Sequence, residues 1–336
     1  QAEGRNMKVV ITGAAGFLGR KLAAAVLERG RLTGADGTEQ PVDELVLFDH
    51  VEPASPRPGD NRVSLHKGDI ADRKLVAGLV GSDTQSLFHF ASVVSAGAEE
   101  DFDLGYRTNL DGMLAVLEAA RATDHRTRIV FTSSLATFGG KWDTAVDDDT
   151  PQTPQTSYGT QKAIGELLAN DYSRKGFVDA RSVRLPTIAI RPGRPNKAAS
   201  TWVSSIIREP LQGEETICPV TGDARMVVLS PRLAVAGLVK LHELPDGALG
   251  PWRSLNFPGE TYSVAEMVAA LRAVGGEDAV ARIRWEPDPA VQKIVAGWPA
   301  EFGWEKARAL GFAPDESMEA VIRAFVEDDM VRPAGG

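Results

Sequence analysis

Residues 8–19 read Lys8-Val9-Val10-Ile11-Thr12-Gly13-Ala14-Ala15-Gly16-Phe17-Leu18-Gly19, and the fold is decided there. Lys8–Thr12 is a short apolar, β-branched run without polar alternation, the pattern of a strand buried on both faces. Three glycines follow at the spacing G-x-x-G-x-x-G, and Phe17–Glu28 continues as an amphipathic helix. Glycine at these positions permits a tight turn and lets a pyrophosphate approach backbone N–H groups at the helix amino terminus, where the dipole favours negative charge. Ordinary turns also use glycine, so the meaning of the trio depends on what surrounds it.

The same rhythm recurs downstream. Glu44–Asp49, Val63–Lys67, Ser86–Ala91, Arg128–Ser133 and Ala180–Leu185 are short apolar runs, and the amphipathic stretches Arg107–Ala122 and Tyr158–Arg174 lie among them. Such alternation forces right-handed crossovers and predicts an α/β fold with a Rossmann-type, doubly wound parallel sheet. After Leu185 the rhythm breaks into Pro- and Gly-punctuated segments before short helices return near Pro231–Leu241 and Val264–Val274. The expected organisation is a nucleotide-binding domain over 7–185 and a smaller C-terminal substrate-binding lobe over 186–330 that is interleaved in part with the main sheet. Residues 1–6 read as a tag or disordered leader, and the polar stretch Arg31–Asp43 as a surface loop.

Composition narrows the partners. Of 336 residues, 43% are hydrophobic and 25% charged, as in ordinary globular proteins, and the net charge of -9 lacks the basic field that draws proteins to nucleic acid. Cys218 is the single cysteine, and the five histidines are scattered without ligand spacing, so no disulfide framework or metal site is expected. No stretch approaches the roughly 20 apolar residues of a membrane span. A cytoplasmic protein without membrane or nucleic-acid partners is the expectation.

Three further groups carry chemistry. Asp49 ends the second strand, where a carboxylate suits the adenosine ribose hydroxyls, and no arginine follows directly to hold a 2′-phosphate; NAD is favoured over NADP. Asp69, in Gly68-Asp69-Ile70, closes the third strand and could meet the adenine amino group, although both aspartates also suit turns. Tyr158 and Lys162 lie four residues apart on one helix face, where the lysine favours the phenolate and makes the tyrosine a usable base. Ser133-Ser134 ends the fifth strand, at the sheet edge where ligands of such folds bind, and a hydroxyl there can hold a substrate oxygen.

In order and spacing, the glycine turn, Asp49, Gly68-Asp69-Ile70, Phe90-Ala91-Ser92, Thr108-Asn109, Ser133-Ser134 and Y-x-x-x-K resemble the extended short-chain dehydrogenases, which include nucleotide-sugar epimerases. The resemblance covers the chain from Met7 onward. It implies catalytic roles for Ser134, Tyr158 and Lys162, with Asn109 supporting the lysine through a water. The cofactor contacts expected are Gly13, Ala15, Gly16, Phe17, Leu18, Gly19, Asp49, Asp69, Ile70, Ala91, Ser133, Tyr158, Lys162 and Pro186. A homodimer built on the helices of Tyr158 and Arg107–Ala122 is also implied.

Departures bear on the substrate. Thr187 stands where family epimerases carry an asparagine for the nucleotide diphosphate, and Arg225–Arg232 keeps only the leading arginine of their next signature. Arg191-Pro192-Gly193-Arg194-Pro195-Asn196-Lys197 is instead a cationic loop, and arginine can fork a carboxylate. The strings Ser157-Tyr158-Gly159-Thr160-Gln161-Lys162, Arg184-Leu185-Pro186-Thr187-Ile188, Arg191-Pro192-Gly193 and Pro195-Asn196 followed by Ala198-Ala199-Ser200 resemble the D-erythronate dehydrogenase subgroup. That likeness implies NAD-dependent oxidation of the C2 hydroxyl of a small sugar acid to a 2-keto acid, with Ser92, Ser134, Tyr158, Arg191 and Arg194 facing the substrate. A nucleotide-sugar 4-epimerase and a non-catalytic NAD-binding sensor or scaffold are the alternatives.

Overall fold

The computed structural model describes residues 7–140, 142, 145–193 and 200–330. Lys8–Thr12 forms strand β1, buried from Val9 to Thr12, and the glycine turn leads into helix α1, Phe17–Arg29. Strands β2 (Arg31–Thr33), β3 (Glu39–Pro41), β4 (Glu44–Asp49) and β5 (Val63–Lys67) follow. Next come α2 (Arg73–Leu79), β6 (Thr84–His89), α3 (Ser95–Glu100) and α4 (Phe102–Tyr106). A widened π turn over Arg107–Asp111 joins α4 to α5 (Gly112–Arg121). Beyond it lie β7 (Arg128–Ser134), α6 (Ser157–Arg174), β8 (Asp179–Leu185) and β9 (Thr187–Ile188). Then come α7 (Thr201–Leu211), β10 (Thr216–Cys218), β11 (Arg225–Leu229), α8 (Pro231–Glu243) and β12 (Ser254–Asn256).

Seven strands form the central sheet in the order β12-β8-β7-β6-β1-β4-β5, and each neighbouring pair from β5 to β7 is parallel. The chain runs outward from β1 through β4 and β5, then returns to the other side of β1 for β6. That reversal is the topological switch point, where open sheets of this kind bind ligands at the carboxyl ends of their strands. Thr12 ties the two strands together there: its hydroxyl pairs with His89 Nδ1 at 2.8 Å and accepts from the N–H groups of Phe90 and Ala91.

The structure divides into two units, each assembled from three stretches of chain. Among the described residues, one comprises those within 7–137, 156–184 and 235–255, and the other those within 138–155, 185–234 and 256–330. A single boundary near 186 therefore does not describe the chain, because β12 joins the large sheet beside β8 only after a long excursion. The core of the first unit packs Val10, Val46, Phe48, Leu87, Val116, Ile129 and Phe131. In the second unit, β11 pairs with β9 and with β13 (Glu260–Ser263), while Trp202, Ile206, Met267, Leu271 and Phe325 pack in its core.

Arg31–Asp43 is not a loop but a small antiparallel hairpin of β2 and β3. Leu32 and Val42 are fully buried, and anchoring these two apolar residues outweighs the polar composition around them.

Gly13 has φ +73°, and a Cβ there would sit 2.7 Å from both Ala91 N and Phe90 C, the backbone of the strand end across the switch point. Gly13→Ala is expected to destabilise the protein by about 1–3 kcal/mol from backbone strain alone. Urea unfolding measures it, and an unchanged midpoint contradicts the close approach.

Candidate active site

The glycine turn lies at the carboxyl end of β1. Gly16 precedes α1 in an extended conformation and supplies no side-chain cap, so the helix start is left to backbone N–H groups. The buried Asp49 ends β4, and its Oδ2 accepts from Ala15 N at 2.9 Å, which draws the carboxylate to the turn. Its Oδ1 accepts from Val51 N at 3.3 Å and lies 2.7 Å from His50 Nδ1, which leaves Oδ2 a further lone pair for a hydroxyl donor. A turn that excludes a side chain at Gly13, an uncapped helix start and a carboxylate one strand away together fit a dinucleotide.

Other expected cofactor positions are spread around this end of the sheet. The half-exposed Asp69 accepts from Ala71 N at 2.8 Å and pairs with Arg107, which holds its carboxyl below the usual range. Ile70 is buried in the first unit's core, and Ala91 packs against the same cluster. Ser92 is half-buried beyond β6.

Helix α6 starts where Thr156 caps it: its side chain accepts from Gly159 N at 3.1 Å and places Tyr158 in the first turn. The helix lies along β7 and the short turn Leu135–Thr137. Gly165 makes the approach possible, since a Cβ there would fall 2.7 Å from the Phe131 ring. Tyr158 is half-buried, whereas Lys162 is 3% exposed and donates from Nζ to Thr132 O at 2.8 Å. The ammonium also lies 4.9 Å from the Phe131 ring centre and 5.6 Å from that of Tyr158. Burial pushes the Lys162 pKa from 10.5 down to about 7, against the opposing pull of the Glu166 charge. His89, wholly buried and facing the same ammonium, falls from 6.5 to about 3 and stays neutral.

Ser134 is half-buried at the end of β7, its Oγ accepting from Ala136 N at 3.1 Å. Ser133 is buried and its hydroxyl donates to Glu166, so only its backbone is left to face a cofactor. Asn109, on the π turn, accepts from Val93 N at 2.7 Å and donates to Val93 O and to Gln161 Oε1. It thus holds the segment after β6 against α6, with no direct bond to Lys162 among its described contacts. Pro186 is buried and belongs to the second unit. So does Arg191, whose Nε donates to Ile188 O at 3.0 Å and Nη2 to Ser200 Oγ at 3.3 Å. Arg194 lies outside the described residues.

Sequence reasoning missed the charges behind this group. Glu166, wholly buried, is chelated by the equally buried Arg184, with Nε at 3.1 Å from each carboxylate oxygen and Nη2 at 2.9 Å from Oε2. The signal was present: Glu166 follows Lys162 by four residues and shares its helix face, and Arg184 is a charged residue in a strand buried from Asp179 to Arg184.

A serine at a central strand end, a tyrosine and a buried lysine one turn apart on the adjoining helix, and a glycine turn at the switch point define an enzyme of the short-chain dehydrogenase class. Residues 9–250 match the model of the NAD dependent epimerase/dehydratase family, and the chain belongs to that family. It is 49% identical to a D-erythronate dehydrogenase of Cupriavidus necator, over 96% of this chain and 98% of that one. A D-erythronate dehydrogenase of Haemophilus influenzae is 44% identical, over 96% of this chain and all of that one. Among solved structures, a nucleoside-diphosphate-sugar epimerase from Agrobacterium tumefaciens superposes with a TM-score of 0.89 at 41% identity, covering 98% of this chain and 97% of that one.

Arg184→Met strands a buried carboxylate, and breaking such a pair from one side costs about 3–5 kcal/mol. Chemical unfolding of the variant is expected to show a loss of that size; a loss below about 1 kcal/mol contradicts the pairing.

Proposed function

We propose that the protein oxidises the C2 hydroxyl of a small sugar acid, with D-erythronate as substrate, a 2-oxo-tetronate as product and NAD as acceptor. The observation that carries this reading is the likeness, over nearly the whole chain, to two D-erythronate dehydrogenases. Asp49 at the end of β4 supports NAD, since a carboxylate suits a ribose diol and repels a 2′-phosphate.

In this reading the pyrophosphate rests on Gly13, Ala15, Gly16, Phe17, Leu18 and Gly19 at the start of α1. Asp49 accepts from the adenosine ribose, and Asp69 and Ile70 border the adenine. Ala91 borders the nicotinamide half. When bound, the nicotinamide supplies the acceptor for the hydride that leaves substrate C2. Tyr158 takes the hydroxyl proton, so that C2–H and O–H are broken as the carbonyl forms. Ser134 donates to that oxygen and holds it. Lys162 favours the tyrosinate by its charge and holds the nicotinamide ribose. Ser92 lines the substrate side, and Arg191 and Arg194 are the candidates for the carboxylate, which a guanidinium forks with paired bonds.

NADH absorbance with D-erythronate, and with L- and D-threonate as stereochemical controls, tests the proposal. Steady NADH formation with D-erythronate is expected, and Tyr158→Phe should lower turnover by roughly 10²–10⁴-fold. A nucleotide-sugar 4-epimerase instead regenerates its cofactor and gives no net NADH, so interconversion of sugar nucleotides without NADH, or near-parental turnover by Tyr158→Phe, overturns it.

The working form in this reading is a cytoplasmic homodimer. Phe102 and Leu104 of α4 and Leu167 of α6 are 56%, 45% and 55% exposed, large apolar side chains that self-association would cover. Sedimentation is expected to show a dimer that Leu167→Glu shifts to monomer; a monomeric parent rules the dimer out.

A further inference from the structure

The Tyr158 and Lys162 side chains are set on the protein by a second, wholly interior layer that no proton-transfer role requires. Two consecutive residues of β7 face α6. Thr132 accepts the Lys162 ammonium at its carbonyl, and Ser133 donates its hydroxyl to Glu166. The next residue is Ser134. The strand end that carries the substrate-holding hydroxyl is therefore stitched to the helix carrying the base at two points one helical turn apart. Arg184, from the neighbouring strand β8, grips the Glu166 carboxylate through both oxygens and prevents it from rotating off Ser133. All of Lys162, Ser133, Glu166 and Arg184 are at least 97% buried, so water does not compete for these bonds.

We propose that Glu166 is a positioning residue for proton transfer: pinned by Arg184, it fixes the register of α6 on the end of β7 and supplies the counter-charge to the Lys162 ammonium one helical turn away. The proposal rests on the reading of Tyr158 and Lys162 as the proton-transfer pair. Charges around the ammonium are few. From β6 it faces His89, which is neutral; on its own helix it faces Tyr158 and Glu166; from β8, Arg184 lies behind Glu166 and bonds to it. Among the described residues Glu166 is thus the carboxylate that acts on Lys162, and it does so against the desolvation that would otherwise discharge the lysine. The sign follows directly. Removing the negative charge makes the ammonium easier to deprotonate, so its titration midpoint must fall, and the Lys162 support for the tyrosinate must be lost at a lower pH.

Two variants separate charge from stitch. Glu166→Gln keeps the shape and removes the charge, while Ser133→Ala cuts the strand bond and keeps the charge. In the apoprotein, the Lys162 ¹³Cε resonance, assigned by its loss in Lys162→Arg, is titrated in parent, Glu166→Gln and Glu166→Asp. The expected result is a midpoint lower by about one unit in Glu166→Gln and restored in Glu166→Asp. The basic limb of kcat/KM should move down with it. A merely structural carboxylate would leave the midpoint in place, and an unmoved midpoint in folded Glu166→Gln overturns the proposal. Where Glu166→Gln does not fold, Ser133→Ala decides: kcat about tenfold lower with the KM for NAD unchanged supports the stitch, since small misplacements of catalytic groups are costly. Parental kcat overturns it. Because the titration needs no substrate, failure of the functional reading, as seen with an active Tyr158→Phe, leaves this result standing on its own.

Discussion

An ammonium group carried into the interior loses its hydration, and the structure around Lys162 is organised to offset that loss. The Thr132 carbonyl and the Phe131 ring contact it directly, and Glu166 supplies opposing charge one turn along the helix. Taking an ion out of water costs several kcal/mol even after relaxation, so the surrounding groups must be held in place rather than found by chance. Holding them falls to the helix and the strand. Thr156 fixes where α6 begins, Gly165 lets it lie flat on β7, and Arg184 stops Glu166 from turning away. The lysine remains poised near neutrality because desolvation and Glu166 pull in opposite directions.

The same economy governs the other end of the site. Thr12 is a single side chain at the point where the sheet reverses direction, yet it bonds the imidazole and two backbone N–H groups of the strand next to it. Cross-linking β1 and β6 at their carboxyl ends fixes the floor from which the glycine turn rises. His89 accepts its place at the cost of its charge, which suits a position beside an existing cation. Asn109 does comparable work on the π turn, where the widened backbone brings its amide onto Val93 and Gln161.

The parts of this arrangement legible from sequence are those written in local spacing. β1, the glycine turn, β4 ending in Asp49, and the helix carrying Tyr158 and Lys162 follow from short apolar runs, glycine intervals and a four-residue repeat. What escaped depends on chain segments distant in sequence. Ser133 reads as a strand-end hydroxyl until Glu166, on a different element, claims it. Arg184 reads as part of a family string until its guanidinium is placed on the same carboxylate. The hairpin at Arg31–Asp43 was hidden because polar composition dominates there, while only Leu32 and Val42 reach the core. Where the units interleave is hidden for a related reason: a strand as short as β12 has no periodicity to announce which sheet it joins.

That division shapes how such a protein can change over evolutionary time. Each unit draws on three separated segments, so no single genetic crossover can exchange one intact unit for a relative's counterpart. Swapping a contiguous gene fragment imports part of one core, or parts of both, with side chains that never adapted to their new neighbours. Lineages descended from this architecture must acquire new preferences through point changes and loop lengthening rather than through the shuffling of modules.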